Sequence, residues 1–426
     1  MKLFRILLLS LPLLLLSSNC FAVYEYNVTV NKTGEDYNTV TLAEGALDNA
    51  GDIRHTGSVK CGAWDSCSAG TCDATNITDG EAVTWDSGVS SGTIHHLTST
   101  EYIITASVGT LDDNDSVTDG TNTFVINGAG DSCQVTVDVY NDDGTLTDTW
   151  TFDGFTTDSD NFFKVTSPVG ERHSGTAASG ARISSNGANG IVVADNYSEL
   201  SWLILDSSLN SAGNPEGLIK PQSGADNSVI KNNIIADCVN DGAGSFTNCI
   251  GAATQTFTGF NVYNNIIYNP ETNGVGWGFG NGGVVVINNT IYGAGNNGFN
   301  IAHSNSTVTA RNNAVFGSTG SDYSANIDTR QTNASEDTTG DAGLQSFVTA
   351  EQFTSTTGGS EDFHLITGAD LIDAGTDLTT TANIDIDNYD RDAGGVTWDI
   401  GADEFIAVPV GGWGTSDSFW NDAYIF

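Results

Sequence analysis

The chain is short of cations. Its 426 residues set 13 Lys and Arg against 53 Asp and Glu, a formal charge of −40. A surface of that sign repels nucleic acid and anionic membranes, so neither is an expected partner. Long apolar runs are as scarce. Beyond the N-terminus no stretch approaches the ~20 apolar residues needed to span a bilayer. With 50 Gly and 15% charged residues the composition is rich in turn formers rather than helix formers. It is not read as disorder, because β-branched residues recur in fixed columns along the chain.

The apolar run that does exist lies at the start. Met1–Ala22 carries Lys2 and Arg5, then a Leu-dominated stretch from Leu7 to Leu16, then Asn-Cys-Phe-Ala, the pattern of a secretory signal cut after Ala22. Ser17-Ser18-Asn19 lacks the residues that precede a lipidated cysteine, so Cys20 is not read as an anchor. Cleavage removes two cations and leaves 404 residues at a formal charge of −42. The expected location is secreted, extracellular or at the cell surface. Six cysteines then remain: Cys61, Cys67, Cys72, Cys133, Cys238 and Cys249. An even number in an exported chain favours disulfides, and six allow fifteen pairings. The Cys61–Cys67–Cys72 spacing, with no His pair nearby, suits disulfides better than zinc.

A phrase recurs on a fixed pitch. Val229–Ala236 (VIKNNIIA), Val262–Tyr268 (VYNNIIY), Val286–Tyr292 (VINNTIY) and Val308–Phe316 (VTARNNAVF) align on Asn233, Asn265, Asn289 and Asn313, with steps of 32, 24 and 24 residues. Periods in this range mark solenoids. The flanking residues are short and β-branched without helical spacing, so each period reads as strands joined by tight turns. The expected fold is all-β, a right-handed parallel β-helix. Ile235, Ile267, Ile291 and Val315 form an unbroken column suited to the lumen of coils stacked ~4.8 Å apart. The column one place earlier, Ile234, Ile266, Thr290 and Ala314, is mixed and reads as an outward wall or a bend. The Asn column is expected to be an amide ladder, with Asn also supplying left-handed corners. Cys238 and Cys249 flank the loop that lengthens one coil, which makes them the preferred disulfide.

These phrases resemble the right-handed parallel β-helix repeat proteins of the pectin-lyase-like group. Two later stretches, EDFHLITGADLIDAG within Phe353–Gly375 and DIDNYDRDAGGVTWDIGADEF at Asp385–Phe405, are similar to the closing motifs of secreted β-helix proteins with a choice-of-anchor Q region. Gly34–Ala46 and Phe152–His173 are similar to the opening coils of the same group. Where those relatives carry Ser-Pro before Ile-Asp-Ala-Gly, this chain has Ala369-Asp370. The resemblance implies an architecture and no single chemistry, since this fold carries lyases, hydrolases, esterases and adhesins alike.

The layout that follows is a signal peptide over 1–22 and an N-terminal cap and first coil over 23–82, with a short capping helix at Leu42–Asn49. An inserted small β unit over 83–144 contains Gln134–Tyr140 (QVTVDVY). Coils occupy 145–345, a closing cap 346–405, and an aromatic tail of unassigned role 406–426.

Chemistry is sparse. Tyr268, Tyr292 and Phe316 fall in register after the lumen column and are the candidate ligand-binding residues, an outward aromatic stripe able to stack on sugar rings or simply to pack. Trp277 aligns with Ile301 and reads as core; Phe279 aligns with His303. A lyase needs a base and a cation at the uronate carboxylate. Lys164, Arg172, Arg182, Lys220, Lys231, Arg311 and Arg330 are the basic residues of the solenoid. Lys231 and Arg311 share a column but lie three coils apart, about 14 Å at ~4.8 Å per coil, too far to serve one proton transfer. Catalytic residues are therefore unknown. Asp385, Asp387, Asp390 and Asp392 invite a calcium loop, yet the sixth position is Asp390 and the twelfth Val396, so the pattern fails and a cap rich in Asx turns is expected. No metal or cofactor is assigned, with calcium the one possibility kept. The reading is an acidic, monomeric, extracellular protein that binds a polysaccharide or cell-surface glycan. Its alternatives are a cation-dependent polysaccharide lyase or glycoside hydrolase, and a phage tailspike-like receptor-binding protein.

Overall fold

The computed structural model describes residues 24–31, 39–41, 59–67, 81–96, 101–108, 116–121, 123–131, 133–141, 144–153, 157–159, 162–185, 190–207, 217–238, 248–252, 255–278, 283–302, 307–324, 326–378, 382–393 and 397–406. The signal at 1–22, the capping helix at Leu42–Asn49, Phe279, His303 and the tail beyond Ile406 lie outside them. So do the side chains of Cys61, Cys67, Cys72 and Cys133. Among the described residues no helix is long and apolar enough to cross a membrane.

Short β-branched runs separated by polar corners cannot bury themselves alone; stacking buries them. The described residues form three parallel sheets of nine, six and eight strands. The coil Asn261–Tyr263, Ile266–Tyr268 and Asn273–Trp277 places one strand in each sheet, and each pairs with its counterpart one coil on. This is a parallel β-helix. The lumen column Ile235, Ile267, Ile291 and Val315 stacks in register and is fully buried. Trp277 pairs with Ile301 in the second sheet and is also core.

The asparagine pairs divide two tasks. The first Asn of each pair takes the left-handed conformation, with φ of 52° at Asn232, 51° at Asn264, 53° at Asn288 and 53° at Asn312. Asn tolerates this region because its short polar side chain bonds locally. The second Asn makes the ladder: Nδ2 of Asn233, Asn265 and Asn289 donates to Oδ1 of the next at 3.0–3.1 Å. Each Oδ1 also accepts the backbone N–H of the Asn one coil back. The column runs on through Asn333 and ends on the Asp341 carboxylate at 2.9 Å. The expectation that one Asn column supplies both corner and ladder is thus corrected.

Two further expectations change. Ile234, Ile266, Thr290 and Ala314 point away from the lumen but are not exposed, because the closing region covers the third sheet with Leu371, Ile386, Ile400 and Ala402. The Thr290 hydroxyl accepts the Ala402 N–H at 3.0 Å. The insertion also has other limits than 83–144. A closed six-strand barrel begins at Val59–Cys67 and ends at Thr123–Asp131, and the smaller compact unit centres on Val59–Cys133. Gln134–Asp138 instead pairs in parallel with Phe162–Thr166 inside the solenoid. Period-2 alternation is the same in a barrel strand and a solenoid strand, so it does not name the partner. Cys238 and Cys249 form a disulfide across the lengthened coil, with Cα atoms 5.5 Å apart.

Candidate functional site

The aromatic stripe forms in register, Tyr268 beside Tyr292 beside Phe316. It is not a free surface. Phe363 packs on Tyr268 and Tyr292 with ring centroids 5.7 and 5.4 Å away, and Phe353 meets Phe316 at 5.3 Å. Phe316 is fully buried and Tyr268 nearly so. Both covering rings come from the antiparallel pair Phe353–Ser355 and Asp362–Leu365 of the closing region. The expected ligand role of the stripe is therefore corrected: these rings cement the closing region to the third sheet.

The outer face of the first sheet offers a different site. Alternation along Glu199–Ser201 and Val229–Lys231 turns Glu199, Ser201 and Lys231 away from the lumen while Leu200 and Ile230 fill it. Lys164 sits one coil before Glu199 in the same column. These strands floor a groove of about 460 Å³ that also takes in Arg172, Trp202 and Tyr263. Its wall is the closing segment 382–388, pinned by the first Asn of the first two pairs. Asn232 Nδ2 donates to the carbonyls of Ile384 and Asp385 at 3.0 and 2.6 Å, and Asn264 Nδ2 to those of Ala382 and Ile384 at 2.9 and 2.6 Å.

Glu199 lies between two ammonium groups. Lys231 Nζ is 2.9 Å from Oε2 and Lys164 Nζ is 3.6 Å from Oε1, while the Ser201 hydroxyl donates to Oε1 at 2.9 Å. Burial alone would push the Glu199 carboxyl up; the attraction of Lys231 and Lys164 outweighs it and leaves the group below its ordinary value. Arg172 stacks 4.5 Å above the Trp202 ring and donates Nη1 to Asn388 Oδ1 at 3.2 Å. Trp202 holds the left-handed corner, φ 61°, where later coils place Asn. Burial raises the Tyr263 phenol to about 12, so it stays protonated, donating to Asn261 Oδ1 at 2.5 Å.

Of the residues singled out from sequence, Lys164, Arg172 and Lys231 come together here. Arg311 stays three coils from Lys231 in the same column. Glu199 and Trp202 escaped notice because the coil ELSWLILD carries no Asn pair, although it precedes VIKNNIIA by 30 residues. The aliphatic column through Leu205 and Ile235 is the signal that marks this coil. Asp385 and Asp390 make Asx turns, accepting the N–H groups of Asp387 and Tyr389 and of Asp392.

What the topology defines is a parallel β-helix protein. No family model matches the chain, and no curated protein matches it. Among solved structures it is similar to the crystal structure of the pectate lyase Pel9A, at 16% identity over 63% of this chain and 88% of that one. The TM-score is 0.32, and the likeness carries no argument about activity here.

Proposed function

We propose that the chain is an exported β-helix that binds an acidic glycan in the groove of its first sheet, without cleaving it. The carrying observation is the charge of that groove. Three cations, Lys164, Arg172 and Lys231, line it with one carboxylate, Glu199, on a protein that is otherwise strongly anionic. Sugar carboxylates or sulfates fit the guanidinium and the ammonium donors, and Tyr263 adds an aromatic side chain to the same groove. The secretory pattern of Met1–Ala22 supports an extracellular glycan as the ligand.

Catalytic readings find less support. A glycosidase needs two carboxyl groups about 5–10 Å apart across the bond, and the groove is lined by one. A β-elimination needs a free base, whereas both lysines bond to Glu199 and Tyr263 is held protonated. Calcium takes six to eight oxygen ligands, and a single carboxylate already claimed by two ammonium groups is a poor start for such a site.

The test is calorimetric titration of the full-length secreted protein with oligouronates, sulfated and neutral oligosaccharides. Binding of the acidic series, falling at least tenfold in Lys231→Gln and unchanged in Tyr292→Ala, is expected. Preference for neutral sugars, or indifference to Lys231→Gln, would defeat the reading. Release of unsaturated uronate products, seen by ultraviolet absorbance, would replace binding with lysis.

A further inference from the structure

A second polar site lies behind the groove wall. His364, on the strand Asp362–Leu365, meets Asp387 from the turn after Ile386 and Asp403 from the chain's last described stretch. One ligand atom of each lies within 4.8 Å of the others. A cavity of about 220 Å³ opens on all three. We propose that these residues form a binding site for one divalent transition-metal ion, of which zinc is the representative.

The imidazole is set up as such a ligand. His364 Nδ1 bonds to Asp362 Oδ1 at 2.5 Å and Nε2 lies 2.9 Å from Asp387 Oδ2. A carboxylate behind Nδ1 is the arrangement that orients metal-bound histidines and raises their basicity. Two ligand atoms on a tetrahedral ion with ~2.1 Å bonds are about 3.4 Å apart, so Nε2 and Oδ2, 2.9 Å apart across their hydrogen bond, need to separate only slightly to admit it. Both carboxylates are acceptors, so both ring nitrogens carry protons when the ion is absent. The ion displaces the Nε2 proton to solvent.

Asp403 supplies an observation of its own. It is 5% exposed, its Oδ2 accepts the Leu365 N–H at 2.7 Å, and its Oδ1 receives no hydrogen bond among the described residues. The positive charge beside this buried carboxylate is the His364 imidazolium, and the ion would take its place when the Nε2 proton leaves. Gly175, at φ 70°, keeps the approach to the imidazole open: a Cβ there would lie 2.3 Å from Nε2 and 2.8 Å from Asp387 Oδ1. The donor set of one nitrogen and two carboxylates selects zinc, manganese or their neighbours over calcium, which prefers oxygen throughout. Asp385 and Asp387 face this cavity while Ile384 and Asn388 line the groove, so the ion would brace the groove wall from behind.

Equilibrium dialysis of the chelator-stripped full chain against zinc, followed by elemental analysis, tests the proposal. One zinc per chain is expected. Affinity should fall at least tenfold in His364→Gln and in Asp403→Asn, and calcium at equal concentration should not compete. Zinc should also raise the thermal midpoint of the unsubstituted protein, a readout that needs no variant to fold. No zinc retained and no midpoint shift would overturn the site, as would equal zinc content in both folded variants.

Discussion

Removing one rung of the amide ladder is the sharpest perturbation of this fold. The Asn289 side chain is fully buried and makes five hydrogen bonds: three from Nδ2 to Val262 O, Ile287 O and Asn313 Oδ1, and two to Oδ1 from the backbone and side chain of Asn265. After Asn289→Ala several of these partners keep another bond. Asn265 Nδ2 retains Ile230 O, Asn313 Oδ1 retains the Asn289 N–H, and Ile287 O retains the Asn264 N–H. The Asn265 backbone N–H has no other acceptor among the described residues. An orphaned buried donor costs about 1–3 kcal/mol, and that is the expected loss. Asn288→Gly is the control. It vacates a left-handed position that glycine adopts freely, and the side chain it removes reaches Ala382 O only at 3.5 Å, so its expected loss is close to zero. Urea denaturation followed by tryptophan fluorescence reads both. An unchanged midpoint for Asn289→Ala, or a loss in Asn288→Gly equal to it, would refute the division of labour between the two asparagines.

Other tests address the pH response and the closing region. His173 is buried against Trp202, with Nε2 3.0 Å from Asn232 O, and burial lowers its pKa to about 4. The unfolded chain takes that proton near 6.5 and the folded chain only near 4, so stability falls by up to about 3 kcal/mol as pH drops through this window. Urea midpoints at pH 7 and pH 4 should converge in His173→Gln relative to the unsubstituted protein, and an identical pH slope in the variant would refute this. Phe363→Ala should cost about 3–5 kcal/mol and expose Tyr268 and Tyr292 to solvent, read by denaturation and tyrosine fluorescence; a loss under 1 kcal/mol would mean the closing region does not depend on the aromatic contact.

Residues that must repeat were the legible part. A lumen position needs the same kind of side chain every turn, so Ile235, Ile267, Ile291 and Val315 announce the stack, and the column of second asparagines announces its amide ladder. What covers the outside does not repeat. Phe353, Phe363, Leu371 and Ile400 are scattered along the closing region without period, and nothing in their spacing tells that they lie over Tyr268, Tyr292 and Phe316. The groove was hidden for a related reason. Glu199 and Lys231 are adjacent through coil stacking across 32 positions, and Trp202 stands where Asn would have marked the coil. The ladder's last rung, Asn333, was missed because the step shortens to 20 residues and Thr332 replaces the first Asn, still at φ 56°.

Hydrogen exchange read peptide by peptide, with and without a saturating acidic oligosaccharide, tests the location of binding most directly. The account predicts slowed exchange in the peptides carrying Lys164–Arg172, Glu199–Trp202, Val229–Asn232 and the 382–388 wall. Exchange around Phe316 and Phe353–Phe363 should not change. Protection confined to the latter region, or none in the groove under conditions where calorimetry shows binding, would contradict it.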